Sequence, residues 1–331
     1  MLFKENLMRK NFLALGIGCL LMTGTAPALL ASENSTPVNI QTAAEAKDLI
    51  GRWDLTVDVN GKPVPSWLEV KLSGFKTLVG YFVAMSGSAR PVAEVKFDNG
   101  KFRFEIPPQW ESGSQNMIIE GELTANGMQG SMTDCDGKKY SWKGVKAPYL
   151  KRTAAPVWGK PVNLFNGKDL KGWKASGENQ WVVKNGILTS PKAGSNLITE
   201  QKFNDFKLHV EFKYAKGGNS GVYLRGRYET QIEDSKKDAH PNSVLFGGIY
   251  GFLTANEMVT LGPDQWQTYD ITLVGRMVTV VANGKTIISN QEIPGITGGA
   301  LDSNEAEPGP IYLQGDHQPI EFRKIVITPA K

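Results

Sequence analysis

The chain has 331 residues, 40 % apolar and 21 % charged, a balance suited to globular domains with real cores. Its formal charge is +4. Lys4, Arg9 and Lys10 against Glu5 supply half of that, and no Lys/Arg block follows, which excludes a nucleic-acid footprint. The 36 glycines and 18 prolines follow no collagen period, so they signal many turns and short strands.

Residues 1–31 read as a secretory signal. Lys4, Arg9 and Lys10 form a basic start, Phe12–Met22 an apolar core, and Ala26-Pro27-Ala28 a small-residue cleavage site, with Ala31 as its rival. The apolar run is short and interrupted by glycine, so no membrane span is expected in the mature chain. A lipid anchor on Cys19 would want an aliphatic residue three places earlier, where Gly16 stands. The expected destination is the periplasm or the medium. The mature chain keeps a single cysteine, Cys135, which is expected as a small buried residue.

Residues 32–43 are polar and read as a flexible leader, and Ala43–Leu49 as a helical turn or two. Residues 44–147 then predict a small antiparallel β domain, a barrel or sandwich with a weakly lipocalin-like Gly51-x-Trp53 opening. Trp53, Leu55, Val57 and Val59 alternate with polar residues, and Asn60-Gly61, Asn99-Gly100, Asn126-Gly127 and Asp136-Gly137 supply hairpin turns. About seven or eight strands result. Residues 148–161 are rich in proline and read as a linker. Residues 162–331 are again strand and turn, which predicts a two-sheet sandwich. Phe206, Leu208, Val210, Phe212 and Tyr214 alternate with charged residues. Asn185-Gly186 and Asn283-Gly284 mark hairpins, and residues 288–309 read as a long loop. The fold class is therefore all-β.

Asn219–Asp234 carries the most chemistry. Read as one strand of period two, it puts Tyr223, Arg225, Arg227, Glu229, Gln231 and Glu233 on one face, opposite Val222, Leu224, Tyr228, Thr230 and Ile232. Aromatic, guanidinium, carboxylate and amide groups in one row suit a polyhydroxylated ligand. A solvated face with Arg–Glu pairs gives the same pattern, so spacing alone leaves both readings open.

Several pieces in order resemble the 3-keto-disaccharide hydrolase family. They are Leu164-Phe165-Asn166-Gly167-Lys168-Asp169-Leu170-Lys171-Gly172-Trp173, Trp181–Gly186, Gly218–Tyr223, Glu229-x-Gln231-x-x-Asp234, Gly309–His317 and Glu321-Phe322-Arg323. The resemblance implies a concanavalin-like jelly-roll sandwich acting on glycosides oxidised to a ketone at C3. Their C2 hydrogen is acidic, so a base could remove it and expel the C1 substituent, with water adding back. On this reading Glu229 is the base, His317 the acid or a metal ligand, and Arg225 or a bound cation the oxyanion stabiliser. Asn219, Gln231, Asp234 and Gln314 bind hydroxyls, and Tyr223 packs on the ring. A divalent cation on Glu229, Asp316 or His317 is left open, although no histidine or cysteine spacing suggests zinc. His209 is expected on an exposed strand face and His240 in a solvated loop. Trp173, Trp181 and Trp266 are expected in the core rather than as sugar platforms. The alternatives are a non-catalytic carbohydrate-binding module and a cell-envelope scaffold, because a fold does not fix a function. The partner in every reading but the last is a carbohydrate, and nothing in the chain specifies an oligomeric state.

Overall fold

A computed structural model describes residues 46–237 and 239–331; the expected signal and leader, residues 1–43, lie outside them. Residues 46–49 form one helical turn. No helix among the described residues is long and apolar enough to cross a membrane.

Nine strands follow: β1 (Gly51–Val59), β2 (Lys62–Ser73), β3 (Thr77–Val83), β4 (Arg90–Val92), β5 (Lys96–Asp98), β6 (Lys101–Ile106), β7 (Met117–Thr124), β8 (Gly127–Thr133) and β9 (Lys139–Lys146). They make one antiparallel sheet in the order β4-β3-β2-β1-β9-β8-β7-β6-β5. This is an up-and-down meander joined through its first and last strands, with the break between β4 and β5. It curls round a core that includes Trp53, Leu55, Phe82, Phe104, Ile119 and Cys135. Burial pushes the Cys135 thiol up, so it is a small packing residue. The Asn-Gly pairs at 60–61, 99–100, 185–186 and 283–284 all have both residues at positive φ. This is the hairpin turn that matches the twist of the flanking strands.

The remaining strands are β10 (Val162–Asn163), β11 (Trp173–Ala175), β12 (Val182–Lys184), β13 (Ile187–Ser190), β14 (Leu197–Phe203), β15 (Phe206–Tyr214), β16 (Asn219–Leu224), β17 (Tyr228–Glu233), β18 (Gln267–Val274), β19 (Met277–Ala282), β20 (Lys285–Glu292), β21 (Gly309–Leu313) and β22 (Ile320–Pro329). They form a two-sheet sandwich. One sheet runs β12-β13-β22-β15-β18-β19-β20, with β10 also on β22, and the other β11-β14-β21-β16-β17. The alternation in β15 buries Phe206, Leu208, Val210, Phe212 and Tyr214 between the sheets. Each such side chain contributes about 1.5–3 kcal/mol. Trp173 and Trp181 join this core. Trp266 is half-buried on the outside, flanked by Lys213 and Arg323.

Trp266 thus departs from its expected place in the core, and two further expectations change. Asn219–Asp234 is a hairpin, β16 and β17, with Tyr223 opposite Glu229 and Gly221 opposite Gln231. β20 continues to Glu292, so the long loop starts at Ile293.

The described residues, 46–237 and 239–331, belong to one compact unit. Trp67 of β2 is fully buried in the sandwich core, edge-on to Phe252 at 5.2 Å. Arg52 of β1 pairs with Glu292 (2.6 Å). The proline-rich stretch is held down as well. Arg152 pairs with Asp205 (2.7 Å), Leu150 is buried, and Trp158 bridges to Ala330.

Candidate functional site

The five-stranded sheet has two buried faces. Val222 and Leu224 of β16, Tyr228 and Ile232 of β17, and Ile311 and Leu313 of β21 point into the sandwich. The opposite face carries Asn219, Gly221, Tyr223, Glu229, Gln231 and Tyr312, with Gln314 just beyond β21. Loops cover it. Residues 247–250 run along the free edge of β17, where Tyr250 N–H donates to the Glu229 carbonyl (3.0 Å) and Gln231 N–H to the Gly248 carbonyl (2.9 Å). Glu229 N–H donates to Thr297 Oγ1 (3.0 Å) from the 293–305 loop. What stays open is a cleft of about 390 Å³. It is lined by Asn219, Tyr223, Glu229, Gln231, Tyr250, Gly298, Gly299, Tyr312, Gln314, Asp316 and His317, and by Ser86, Gly87 and Trp110 of the N-terminal sheet.

Glu229 forms the floor. Its side chain lies over Gly221, where a Cβ would run into the carboxylate. Burial pushes its pKa up to about 8. The Asp316 charge adds to this and a hydrogen bond from Tyr223 opposes it. The Tyr223 hydroxyl lies 2.9 Å from Glu229 Oε2 and 2.9 Å from the Gly298 carbonyl. One hydroxyl proton cannot serve two acceptors. The arrangement closes when Glu229 is protonated and donates to Tyr223, which donates onward to Gly298. The geometry and the raised pKa therefore agree on a carboxyl poised to exchange a proton near neutral pH.

Around it, Gln231 donates through Nε2 to the Val244 carbonyl (3.2 Å). Gln231 Oε1 and Gln314 Oε1 are buried with no partner among the described residues. Such acceptors suit ligand hydroxyls. At the rim, His317 Nδ1 is 2.6 Å from Asp316 Oδ1. The Asp316 carboxylate holds the imidazole above its ordinary value, against its partial burial. The carboxylate in turn is held below its own value by His317, against burial. Among the described residues no group of three or more His, Cys, Asp or Glu side chains gathers as a metal site would require.

The structure thus brings together Glu229, His317, Asn219, Gln231 and Gln314, with Tyr223 behind Glu229. It corrects three expectations. Arg225 does not face the cleft, because it is the left-handed residue of the hairpin turn (φ 53°) and is fully buried. Its Nη2 donates to Tyr228 OH (3.1 Å) and to the Gly275 carbonyl (2.8 Å). Asp234 does not line the cleft; its Oδ2 accepts the Gly217 N–H (2.7 Å) at the far end of the hairpin. Tyr223 offers no ring face, because it is 1 % exposed and stacks on Tyr312 at 4.1 Å and 9°. His209 lies elsewhere, between Asp270 and Glu211, and His240 is exposed. Sequence reasoning missed Tyr250, Tyr312, Ser86, Gly87 and Trp110. Parity with Gln314 could have flagged Tyr312; nothing local flags the N-terminal residues.

A curated 3-keto-disaccharide hydrolase of Bacteroides thetaiotaomicron is 31 % identical over 117 residues, 31 % of this chain and 39 % of the relative, so the match spans about two fifths of that relative's length. A crystal structure of a candidate glycosyl hydrolase from Parabacteroides distasonis is 29 % identical, covering 54 % of this chain and 92 % of its own, with a TM-score of 0.44. A second from the same organism is 26 % identical, covering 51 % and 98 %, with a TM-score of 0.41. The profile of the 3-keto-alpha-glucoside-1,2-lyase-like domain matches residues 160–328, just over half of the chain and all of the cleft except its N-terminal wall, and the chain belongs to that family.

Proposed function

We propose that this protein cleaves the glycosidic bond of 3-keto-glycosides, disaccharides included, by elimination followed by hydration. The observation that carries the reading is Glu229: a fully buried carboxyl with its pKa raised to about 8, hydrogen-bonded to Tyr223 on the floor of a cleft rich in amides. A base for carbon acids works best with a pKa near the working pH. A lectin has no need to bury a proton-exchanging carboxyl.

In the proposed reaction Glu229, as carboxylate, takes the C2 proton. The C–H electrons pass to the C3 ketone and give an enediolate. Amide N–H groups of the Asn219 and Gln314 side chains are the donors available to the oxyanion, in place of Arg225. The enediolate collapses to a C1=C2 double bond and expels the C1 oxygen. His317, whose protonated form is favoured by Asp316, gives that oxygen a proton. Water then adds across C1=C2, hydroxyl to C1 and proton to C2, and the net result is hydrolysis. Two facing carboxylates of the ordinary glycosidase kind are not required.

The test is incubation of purified protein with a 3-keto-disaccharide and with its unoxidised parent in deuterated buffer, with and without chelator. The reading expects release of both sugars and deuterium at C2 from the keto substrate alone. Equal cleavage of the parent, or cleavage without C2 exchange, overturns it. A loss of rate with chelator that added cation restores would bring a divalent ion into the cleft beside Glu229, Asp316 or His317.

We also propose that the chain is exported, on the strength of Lys4, Arg9, Lys10 and the apolar run 12–22. Protein from the periplasm or medium should then lack about 28–31 N-terminal residues by intact mass, and recovery of the full-length chain from cytosol alone would refute this.

A further inference from the structure

The cleft has one wall that the matched family segment does not supply. Trp110 lies in the β6–β7 loop of the N-terminal sheet and is 48 % exposed. Its indole is laid against the backbone of Gly87, which has a φ of +82°. A Cβ there would penetrate the ring, so only glycine fits. The Arg90 guanidinium, 1 % exposed, lies 5.1 Å from the indole centroid. Arg90 Nη1 pairs with Glu111, the neighbour of Trp110, at 2.9 Å. The Glu111 carboxylate also accepts the Gln109 N–H (2.9 Å) and the Trp110 N–H (3.3 Å). A buried arginine and a capped turn therefore hold a large aromatic side chain in place while about half of it stays exposed at the cleft. Ordering such a half-exposed ring beforehand lowers the cost of binding.

The wall is keyed to the chemistry. Gly298, whose carbonyl accepts from Tyr223, packs against the Gly87 backbone. Tyr223 and Tyr312 stack on each other and offer no face, and Tyr250 is half-buried. The cleft thus pairs a floor of carboxyl and amide groups with an indole at its mouth. Hydroxyls suit the first, and the C–H face of a pyranose suits the second.

We propose that Trp110 is the stacking platform for the leaving-group sugar, a specificity determinant contributed by the N-terminal sheet. This rests on the keto-glycoside reading of the cleft. The ring that loses its C2 proton must reach buried Glu229, so the half-exposed indole at the mouth meets the next unit.

The experiment compares the wild type with Trp110→Ala and Trp110→Phe on two substrates that share the keto sugar: a 3-keto-disaccharide and methyl 3-keto-glucoside. Stacking contributes about 0.5–1.5 kcal/mol. Trp110→Ala should therefore shift the ratio of kcat/KM by about three- to tenfold toward the methyl glycoside, mainly through KM for the disaccharide, and Trp110→Phe should restore most of it. Equal loss on both substrates, or no shift in the ratio, overturns the proposal. Thermal melting of the variants confirms that folded proteins are compared. If the wild type turns over neither substrate, the keto-glycoside reading fails, and the platform is judged by calorimetric titration with unoxidised disaccharide and monosaccharide. Binding of the disaccharide that Trp110→Ala weakens selectively supports it; no binding, or equal weakening, refutes it.

Discussion

The two faces of the β16–β17 hairpin next to its turn use the same kinds of residue for opposite purposes. At the turn, Arg227 pairs with Asp302 (2.7 Å) and donates to the Glu307 carbonyl (2.7 Å). Tyr228 OH donates to Glu305 (2.6 Å), and Arg276 grips the same carboxylate through two nitrogens (2.9 and 2.6 Å). Burial alone would raise the Glu305 carboxyl, yet Arg276 holds it below its ordinary value. Asp54 of β1 sits beside it and is pushed up, first by burial and then by the Glu305 charge. On the opposite face, one residue along from Tyr228, Glu229 has no cation beside it, and the oxygens of Gln231 and Gln314 lack partners. Buried charge is neutralised where it ties loops together and left poised where it faces the cleft. Polar residues in a strand therefore do not mark a site by themselves; the Glu305 carboxylate already has its cation and the Glu229 carboxyl does not.

The sharpest way to break this comparison is Glu229→Gln. It keeps size and hydrogen bonding but removes the base, so kcat should fall about 10²–10⁴-fold and C2 exchange should fall with it. Stability adds a second readout. Glu229 has an ordinary pKa of 4.5 and a folded pKa of about 8. The folded state holds the proton longer, so wild-type stability declines as pH rises from about 4.5 to about 8. The variant lacks this decline: its melting midpoint should match wild type at pH 5 and exceed it at pH 8.5. A variant within about threefold of the wild-type rate would make Glu229 a structural residue, and the contrast between the two faces would collapse.

On the other face, Arg276→Met leaves Glu305 buried without its cation. Removing one partner of a buried pair costs about 3–5 kcal/mol, so denaturant unfolding should show a loss of that size. The rate of the folded fraction should stay within about threefold, because none of these residues lines the cleft. A selective loss of rate at unchanged stability would move the turn network into the chemistry.

Much of this was legible from the sequence, and one part for an arithmetic reason. The odd, three-residue loop 225–227 preserves parity, so a one-strand reading and the real hairpin put Asn219, Tyr223, Glu229 and Gln231 on the same face. The same arithmetic misplaced Arg225, which shares the parity but sits in a turn. Arg-Gly-Arg lacks the Asn-Gly signature that announced the other hairpins. Period-two alternation and those signatures gave both β bodies. Trp110 and Gly87 stayed hidden because they reach the cleft through tertiary packing across more than a hundred residues, and no local pattern encodes such an approach.

A third prediction concerns pH. Because Glu229 must be ionised to act, kcat/KM should climb by about tenfold per pH unit until about pH 8. His317 must be protonated to act, so a falling limb should follow at a pH above the ordinary histidine value of 6.5. Asp316→Asn removes the carboxylate that raises His317, and the falling limb should move to lower pH. A pH-independent rate from 5 to 8 would mean that Glu229 does not take the proton.

The smallest effect is expected at Asp234. It belongs to the family-like run Glu229-x-Gln231-x-x-Asp234, and by that resemblance it would bind substrate. In the fold its Oδ2 accepts the Gly217 N–H at 2.7 Å, and its own N–H donates to the Gly218 carbonyl (2.8 Å). These bonds close the 215–218 turn at the end of the hairpin away from Arg225. Asp234→Asn keeps an oxygen acceptor for Gly217, so the turn should persist with a loss of about 1 kcal/mol or less. Asn219 starts β16 directly after that turn, so a distorted turn would reach the cleft through Asn219. Asp234→Asn should therefore leave kcat/KM within about twofold of wild type, while Asp234→Ala, which removes the acceptor, should raise KM more than it lowers kcat. A large loss of kcat in the Asn variant would instead give Asp234 a direct part in the reaction.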